Sequence, residues 1–238
     1  MTETVLRDQR LFLGGSNLSS QSNSVALARE VAELDRTSLA DTARRRRGGL
    51  EDGRIGATGF FDASATDAAL FGAVGLAGQV VGVTAPDAAE GATAFAAQVH
   101  VGEYAPLGGE VGDLAEFNLA AMSDGPIIRG KLNALREVTA TGVGAGSELP
   151  SVQAGRKLYA ALFVTALSAG ASLDVLVRSA ASDAFSAPAT RITFPTIDAV
   201  GGFWGVFSGE TSHTWFRPSF TLTGDEASAS VALILAVQ

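Results

Sequence analysis

The sequence predicts a mainly β protein: a β-sandwich or barrel with one short helix, followed by a second β-sandwich domain. Three observations lead there. Clusters of Val, Ile, Phe and Thr recur between Gly, Asp, Ser and Pro, and 28 glycines supply turn and bulge positions. Apolar residues make up 47% of the 238 and charged residues 18%, below the roughly 25% usual for soluble proteins, so much of the chain has to be buried. Strand signals also crowd together after a small-residue stretch, Gly142–Gly155, which reads as a linker and sets a domain boundary near residue 145. Domains of 1–145 and 146–238 follow.

Ser24–Leu34 opens the first domain with an alternation near period two, with a helix through Ala26–Leu34 as the alternative reading. Asp35–Gly53 is too polar for a core element and contains two turn signals, Gly48-Gly49 and Asp52-Gly53, so it reads as a long Arg-rich loop. The next strand, Arg54–Phe61, places Ile55, Ala57, Gly59 and Phe61 on one face. Ser64, with Asp67 three residues on, has the pattern of a capped start for a helix over residues 65–74. Strands over Gln79–Thr84, Thr93–Tyr104, Gly112–Met122 and Ile127–Thr141 complete this half.

The second half carries six strand signals: Leu158–Thr165, Leu173–Ser179, Thr190–Phe194, Phe203–Phe207, Trp215–Thr223 and Ser228–Val237. Such spacing is that of a sandwich, jelly-roll or immunoglobulin-like, in an accessory domain. Pro218 suggests an edge or a bulge. In the last strand Val231, Leu233, Leu235 and Val237 alternate with Ala232, Ile234 and Ala236, so both faces need cover and the strand should be central.

Composition excludes much chemistry. Without cysteine there are no disulfides, thiol nucleophiles or cysteine zinc sites. His100 and His213 have no His, Asp or Glu nearby at metal-ligand spacing, and no Gly-x-Ser-x-Gly elbow occurs, so neither an enzyme nor a cofactor is expected. A net charge of −8, most of it from residues 1–140, argues against general nucleic-acid binding. No apolar run approaches the roughly 18–20 residues of a spanning helix, and the first ten residues lack an apolar signal core, so no membrane partner is expected. The pairs Phe60-Phe61, Phe203-Trp204 and Trp215-Phe216 fit core packing better than glycan stacking, because alternation buries one member of each.

The unexpected feature is Arg44-Arg45-Arg46-Arg47. Four adjacent like charges need water or acidic partners. An exposed loop is one explanation, pairing with carboxylates of a neighbouring subunit is the sharper one, and contact with DNA ranks third because the surroundings are acidic. Glu51 and Asp52 lie in the same segment.

This segment resembles a pattern of the tail-tube and major tail proteins of long-tailed phages: a strand, Asp-x-Thr, a polar loop, Gly-Leu-x-Asp-Gly and a Gly-aromatic strand. Asp35 and Thr37, Gly49-Leu50-Glu51-Asp52-Gly53 and Gly59-Phe60-Phe61-Asp62 match it, while Ala43 and Arg44 stand where Trp-Lys or Trp-Arg would be expected. The resemblance covers residues 10–140, and the remainder is similar to β-rich extension domains of virion proteins. It implies a tail-tube subunit that assembles into stacked, commonly hexameric rings with other phage tail proteins. Double-stranded DNA would pass through the lumen without specific binding. Location in the virion tail, and in the host cytoplasm before assembly, would follow. Arg44, Arg45, Arg46, Arg47, Glu51 and Asp52 would then form an inter-subunit loop. A head decoration or other virion surface protein, and the carbohydrate-binding module of a receptor-binding protein, are the alternatives.

Overall fold

The structure, a computed structural model, describes residues 5, 7–63 and 67–238. It is mainly β, as the sequence predicts. The first strands are β1 (Leu11–Leu13), β2 (Ser16–Asn17), β3 (Ser22–Asp35) and β4 (Arg46–Phe60). Helix α1 (Asp67–Ala73) follows, then β5 (Gln79–Thr84), β6 (Thr93–Gly108), β7 (Glu116–Ser123) and β8 (Ile128–Val138). The remaining strands are β9 (Gly142–Val143), β10 (Ser147–Glu148), β11 (Leu158–Leu167), β12 (Ser172–Ala180), β13 (Ala189–Thr193), β14 (Gly201–Phe207), β15 (Trp215–Thr223) and β16 (Ala229–Val237). The expected cap Ser64 lies outside the described residues.

The chain forms two compact units that interleave in sequence. One comprises the residues up to Ser20, Gln79–Ala97 and Ile128–Gln238; the other comprises Gln21–Gly78 and Gln98–Ile127. The expected break at residue 145 therefore lies inside the first unit. Its small residues are not a free spacer: β9 and β10 both pair with β15, and Val138 of β8 sits opposite Ala229 of β16. A linker signal is local, whereas this pairing joins residues far apart in sequence.

In the first unit the strand order is β14-β11-β16-β8-β6-β5-β1-β2. β16 is flanked by β11 and β8 and is central, as its two apolar faces require. One face, with Leu158, Leu162, Val164, Val231 and Leu233, packs against Leu173, Val175, Val177, Phe216 and Phe220 of a second sheet, ordered β10-β15-β12-β13. The other face, with Phe163, Ile234 and Ala236, meets Phe12 and Val80, because the sheet curls until β1 and β5 lie over β11. Phe12 and Phe163 stack with ring centroids 5.2 Å apart. Gly82 permits that approach: a Cβ there would stand 2.6 Å from the Phe163 ring.

Pro218 lies in β15, which pairs along its length with β12. On its other side the partner changes from β9 to β10, and the Pro218 carbonyl accepts from the Gly144 amide at 2.9 Å. The missing N–H thus falls where the flanking ladder is interrupted. Asn133 is the extra residue of a bulge in β8, opposite the Leu233–Ile234 step. Fully buried, its Nδ2 donates to Ser147 Oγ at 2.8 Å and fastens β10 to the core.

The second unit is the antiparallel set β3-β4-β7-β6, where β6 contributes its residues from Gln98 onward. Gly53, Ile55, Ala57 and Gly59 alternate as the buried face of β4, with Phe117, Leu119 and Ala121 of β7 also buried. Helix α1 buries Leu70 and Ala73. Tyr104 Oη donates to Asp67 Oδ1 at 3.0 Å, and burial together with that carboxylate pushes the phenol pKa up to about 12.

Two outcomes test this architecture. Phe163→Ala should destabilise the chain by about 3–5 kcal/mol in urea unfolding, since it empties the inner face of the curled sheet. A chain ending at residue 145 should fail to give a dispersed amide NMR spectrum, because β8 would lose β16 and its apolar face would be bare.

Candidate functional site

The feature outside both cores is the hairpin of β3 and β4. The two strands pair from Ser22↔Gly59 to Asp35↔Arg46, but β7 joins β4 only from Arg54 to Phe60. Beyond Arg29 and Gly53 the hairpin is a two-stranded ribbon, exposed along nearly its whole length. Val31, Leu34 and Leu50 stand 48%, 53% and 87% exposed. Among the described residues, β3 has no strand neighbour but β4.

The segment expected to be a loop over 35–53 is a loop only over residues 36–45, and Arg46–Gly53 is strand. Gly48-Gly49 and Asp52-Gly53 lie in the ladder opposite β3, with a register shift at Val31–Glu33. A partner strand as long as β3 outweighs local turn preference. The reversal occurs between Asp35 and Arg46 and is fixed by short side chains. Asp35 Oδ1 accepts from the Thr37 amide at 2.8 Å and from its hydroxyl at 2.5 Å, and Thr37 Oγ1 accepts from the Arg45 amide at 2.9 Å. Asp41 Oδ2 accepts from the amide and hydroxyl of Ser38, both at 2.9 Å. Asp-x-Thr and Ser-x-x-Asp were the signals that could have placed this turn.

The six residues expected at an inter-subunit contact fall on this ribbon and its tip, in different settings. Arg45 Nε lies 2.8 Å from Asp41, and Arg46 Nη1 lies 2.6 Å from Glu33. Glu51 receives both forks of Arg29, at 2.5 and 2.8 Å, which holds its carboxyl below the usual range. Asp52 stands 3.6 Å from Arg54. Arg44 and Arg47 are exposed and have no ion-pair partner among the described residues. Arg29, Glu33 and Asp41 are the partners that sequence reasoning missed. The Arg29–Glu51 and Glu33–Arg46 contacts come from strand register, which local pattern does not reveal.

The polar groups around His213 are engaged in structure. His213 Nδ1 lies 3.0 Å from Ser179 Oγ, to which Arg191 Nε also donates at 2.7 Å. Arg191 continues to Thr211 and covers the Phe207 ring. Among the described residues the side-chain hydrogen-bond partners of His213 are Ser179 and Thr211, with no acidic group among them. His100 is exposed on β6. Among the described residues no group of three His, Cys, Asp or Glu is placed to hold a metal, and no helix is long and apolar enough to cross a membrane. A cleft of ≈ 320 Å³ is bordered by Arg10, Arg136, Thr165 and Ser230, with Arg136 already clamped by Glu90. Of the aromatic pairs, Phe216 is buried and Trp215 half-buried, Phe203 and Trp204 pack on opposite faces of β14, and Phe60 is exposed.

The tip has a pH signature. The Thr37 hydroxyl and amide hold the Asp35 pKa below its ordinary value. A depressed folded value means that the stabilisation is present above the unfolded pKa and is lost as pH falls through the folded one. The protection of the Thr37 and Arg45 amides, taken relative to their intrinsic exchange rates at each pH, should therefore fall on acidification below about pH 4, ahead of global unfolding. Thr37→Val should produce the same local loss of protection at neutral pH while changing global stability by less than about 0.5 kcal/mol.

No protein-family model matches the sequence, and no curated protein matches it. Among solved structures, the chain is similar to one from the virion of a native gene transfer agent particle, at 19% identity over 49% of this chain and 92% of that one, with a TM-score of 0.40. It is also similar to a chain of the sheath/tube terminator of an extracellular contractile injection system in its extended state, at 12% identity over 54% and 96%, TM-score 0.45. A third similarity is to the Dit protein of phage SPP1, described as a hub adsorption apparatus protein, at 9% identity over 98% and 100%, TM-score 0.35.

Proposed function

We propose that this chain is a structural subunit of a phage-type tail, assembling through its β3–β4 ribbon into rings that stack around a conduit for DNA. The observation that carries the reading is the ribbon itself. A monomeric protein protects exposed strand edges and exposed apolar side chains, because both template association. Here Val31, Leu34, Leu39 and Leu50 stand in solvent on or at the tip of a two-stranded ribbon with unpaired edges. The segment bearing them is the one whose sequence resembles tail-tube proteins, from Asp35-x-Thr37 to Gly59-Phe60-Phe61-Asp62.

Electrostatics supports the same reading. Of the run of four, Arg45 and Arg46 are answered within the chain, while Arg44 and Arg47 have no ion-pair partner among the described residues and can meet carboxylates of a neighbour. A net charge of −8 disfavours retention of phosphate in a lumen. A ring of six, other tail proteins as partners, location in the virion after assembly in the host cytoplasm, and a non-enzymatic role complete the proposal.

Negative-stain microscopy and light scattering of the purified chain test it. Rings or hollow tubes are the expected result, with Arg44→Glu plus Arg47→Glu reducing assembly at least tenfold while the unfolding midpoint stays unchanged. A wild-type chain that remains monomeric at all concentrations, or a double variant that assembles as well as wild type, would overturn it.

A further inference from the structure

The outward face of the second sheet in the first unit carries two arginines in direct register. Arg178 of β12 pairs with Arg217 of β15, on the side opposite the core residues Val177, Ser179, Phe216 and Phe220. Residues directly opposite in an antiparallel pair hold their Cβ atoms about 5 Å apart, where like charges repel. Among the described residues neither guanidinium pairs with a carboxylate. Both Nε atoms are buried without a hydrogen-bond partner, and the terminal nitrogens donate to nothing among the described residues.

Two acids share the face. Asp174, four residues back along β12, accepts from Thr196 Oγ1 at 2.6 Å, and Glu148, opposite Trp215, forms no ion pair with either arginine. The arginines are nonetheless built in. Arg217 lies over the Phe185 ring, 4.1 Å from its centroid. Phe185 is buried and adopts φ +50°, a left-handed conformation rare for an aromatic residue. Gly146 makes room for it: a Cβ there would stand 2.8 Å from the Phe185 ring and 3.4 Å from Trp215. The half-buried Trp215 sits two residues from Arg217 on the same face.

We propose that Arg178 and Arg217 form a binding site for an acidic sugar, its carboxylate or phosphate held between the two guanidiniums and its ring against Trp215. Each guanidinium offers a planar fork that matches an oxyanion, and stacking on Phe185 fixes the orientation of one fork beforehand. An oxyanion there converts a repulsive cross-strand pair into a three-body attraction. Trp215 supplies the apolar plate that a free inorganic anion would not use. The site is independent of the assembly reading, since it lies on a different unit from the ribbon.

Calorimetric titration of the full chain with D-glucuronate, glucose 6-phosphate, glucose and inorganic phosphate, at constant ionic strength, tests the proposal. One or both acidic sugars should bind with a Kd of about 1 mM, glucose should not bind, and inorganic phosphate should bind at least fivefold more weakly. The tighter acidic sugar identifies the oxyanion as carboxylate or phosphate. Arg217→Gln should weaken binding at least tenfold. Arg178→Lys, which keeps the charge but loses the fork, should do the same and covers the case in which loss of the Phe185 stack unfolds the first variant. Without ligand, Arg178→Gln should raise the melting temperature, because the repulsion is relieved. Absence of acidic-sugar binding, or binding unchanged in Arg178→Lys, overturns the site. Inorganic phosphate binding as tightly as the sugars overturns its assignment to a sugar.

Discussion

Burial of β11 and β16 on both faces is the constraint on which the first unit depends. A strand that alternates Val231, Leu233 and Leu235 with Ala232, Ile234 and Ala236 cannot sit at the surface of a single sandwich layer. It needs one apolar layer on each side. The second sheet provides one through Phe216, Phe220 and Val175, and the curl of β1 and β5 provides the other through Phe12 and Val80. With each fully buried Leu, Val or Phe stabilising by about 1.5–3 kcal/mol, the layers on either side of these strands dominate the stability of a chain that has no disulfide to reinforce it. Close approach then becomes a requirement, and Gly82 against Phe163 is one place where only hydrogen fits.

The second unit follows a different rule. Its sheet is buried on one face near Ile55, Ala57, Leu119 and Ala121, and its hairpin continues past that face into solvent. Beyond Gly53 the ribbon has little core to hold it, and its form comes from its own ladder, from Glu51, which is tied to Arg29 and to the Ile127 backbone, and from the hydrogen bonds of Asp35, Thr37, Ser38 and Asp41 at the tip. Order in an exposed ribbon costs conformational entropy, and short side-chain contacts offset part of it locally.

Local pattern made the strands legible. Gln79–Thr84 and Trp215–Thr223 have the bounds that their strand and turn signals predict, and the central place of the final strand follows from its two apolar faces. What could not be read was partnership. A boundary at residue 145 looked natural because Gly and Ser are frequent there, but β8 finds its neighbour in β16, and the same stretch supplies β9 and β10 to the second sheet. The loop over residues 36–45 is legible, but the strand over Arg46–Gly53 is not, for a related reason: Gly48-Gly49 and Asp52-Gly53 have turn chemistry, and β3 opposite keeps them extended. At the candidate interface the run of arginines was visible, whereas its division into Arg45 and Arg46, paired within the chain, and Arg44 and Arg47, left exposed, depends on register and turn geometry.

The pairing of β16 with β8 and β11 also bears on how the chain acquires its structure. Leu132 meets Ile234 and Leu158 meets Val237, so the middle of the sheet closes only when segments widely separated in sequence come together. Loop-closure entropy has to be overcome before those contacts reward it, which places the first unit among slow, topologically non-local folders. During synthesis β8 leaves the ribosome long before β16 exists. In that interval its Ile128, Leu132 and Ala134 have no permanent cover. The hairpin of β3 and β4 joins neighbours in sequence and can close early. The ribbon would then be present on nascent chains whose first unit is still open, and chaperone protection in that window would matter more for yield than the stability of the finished fold.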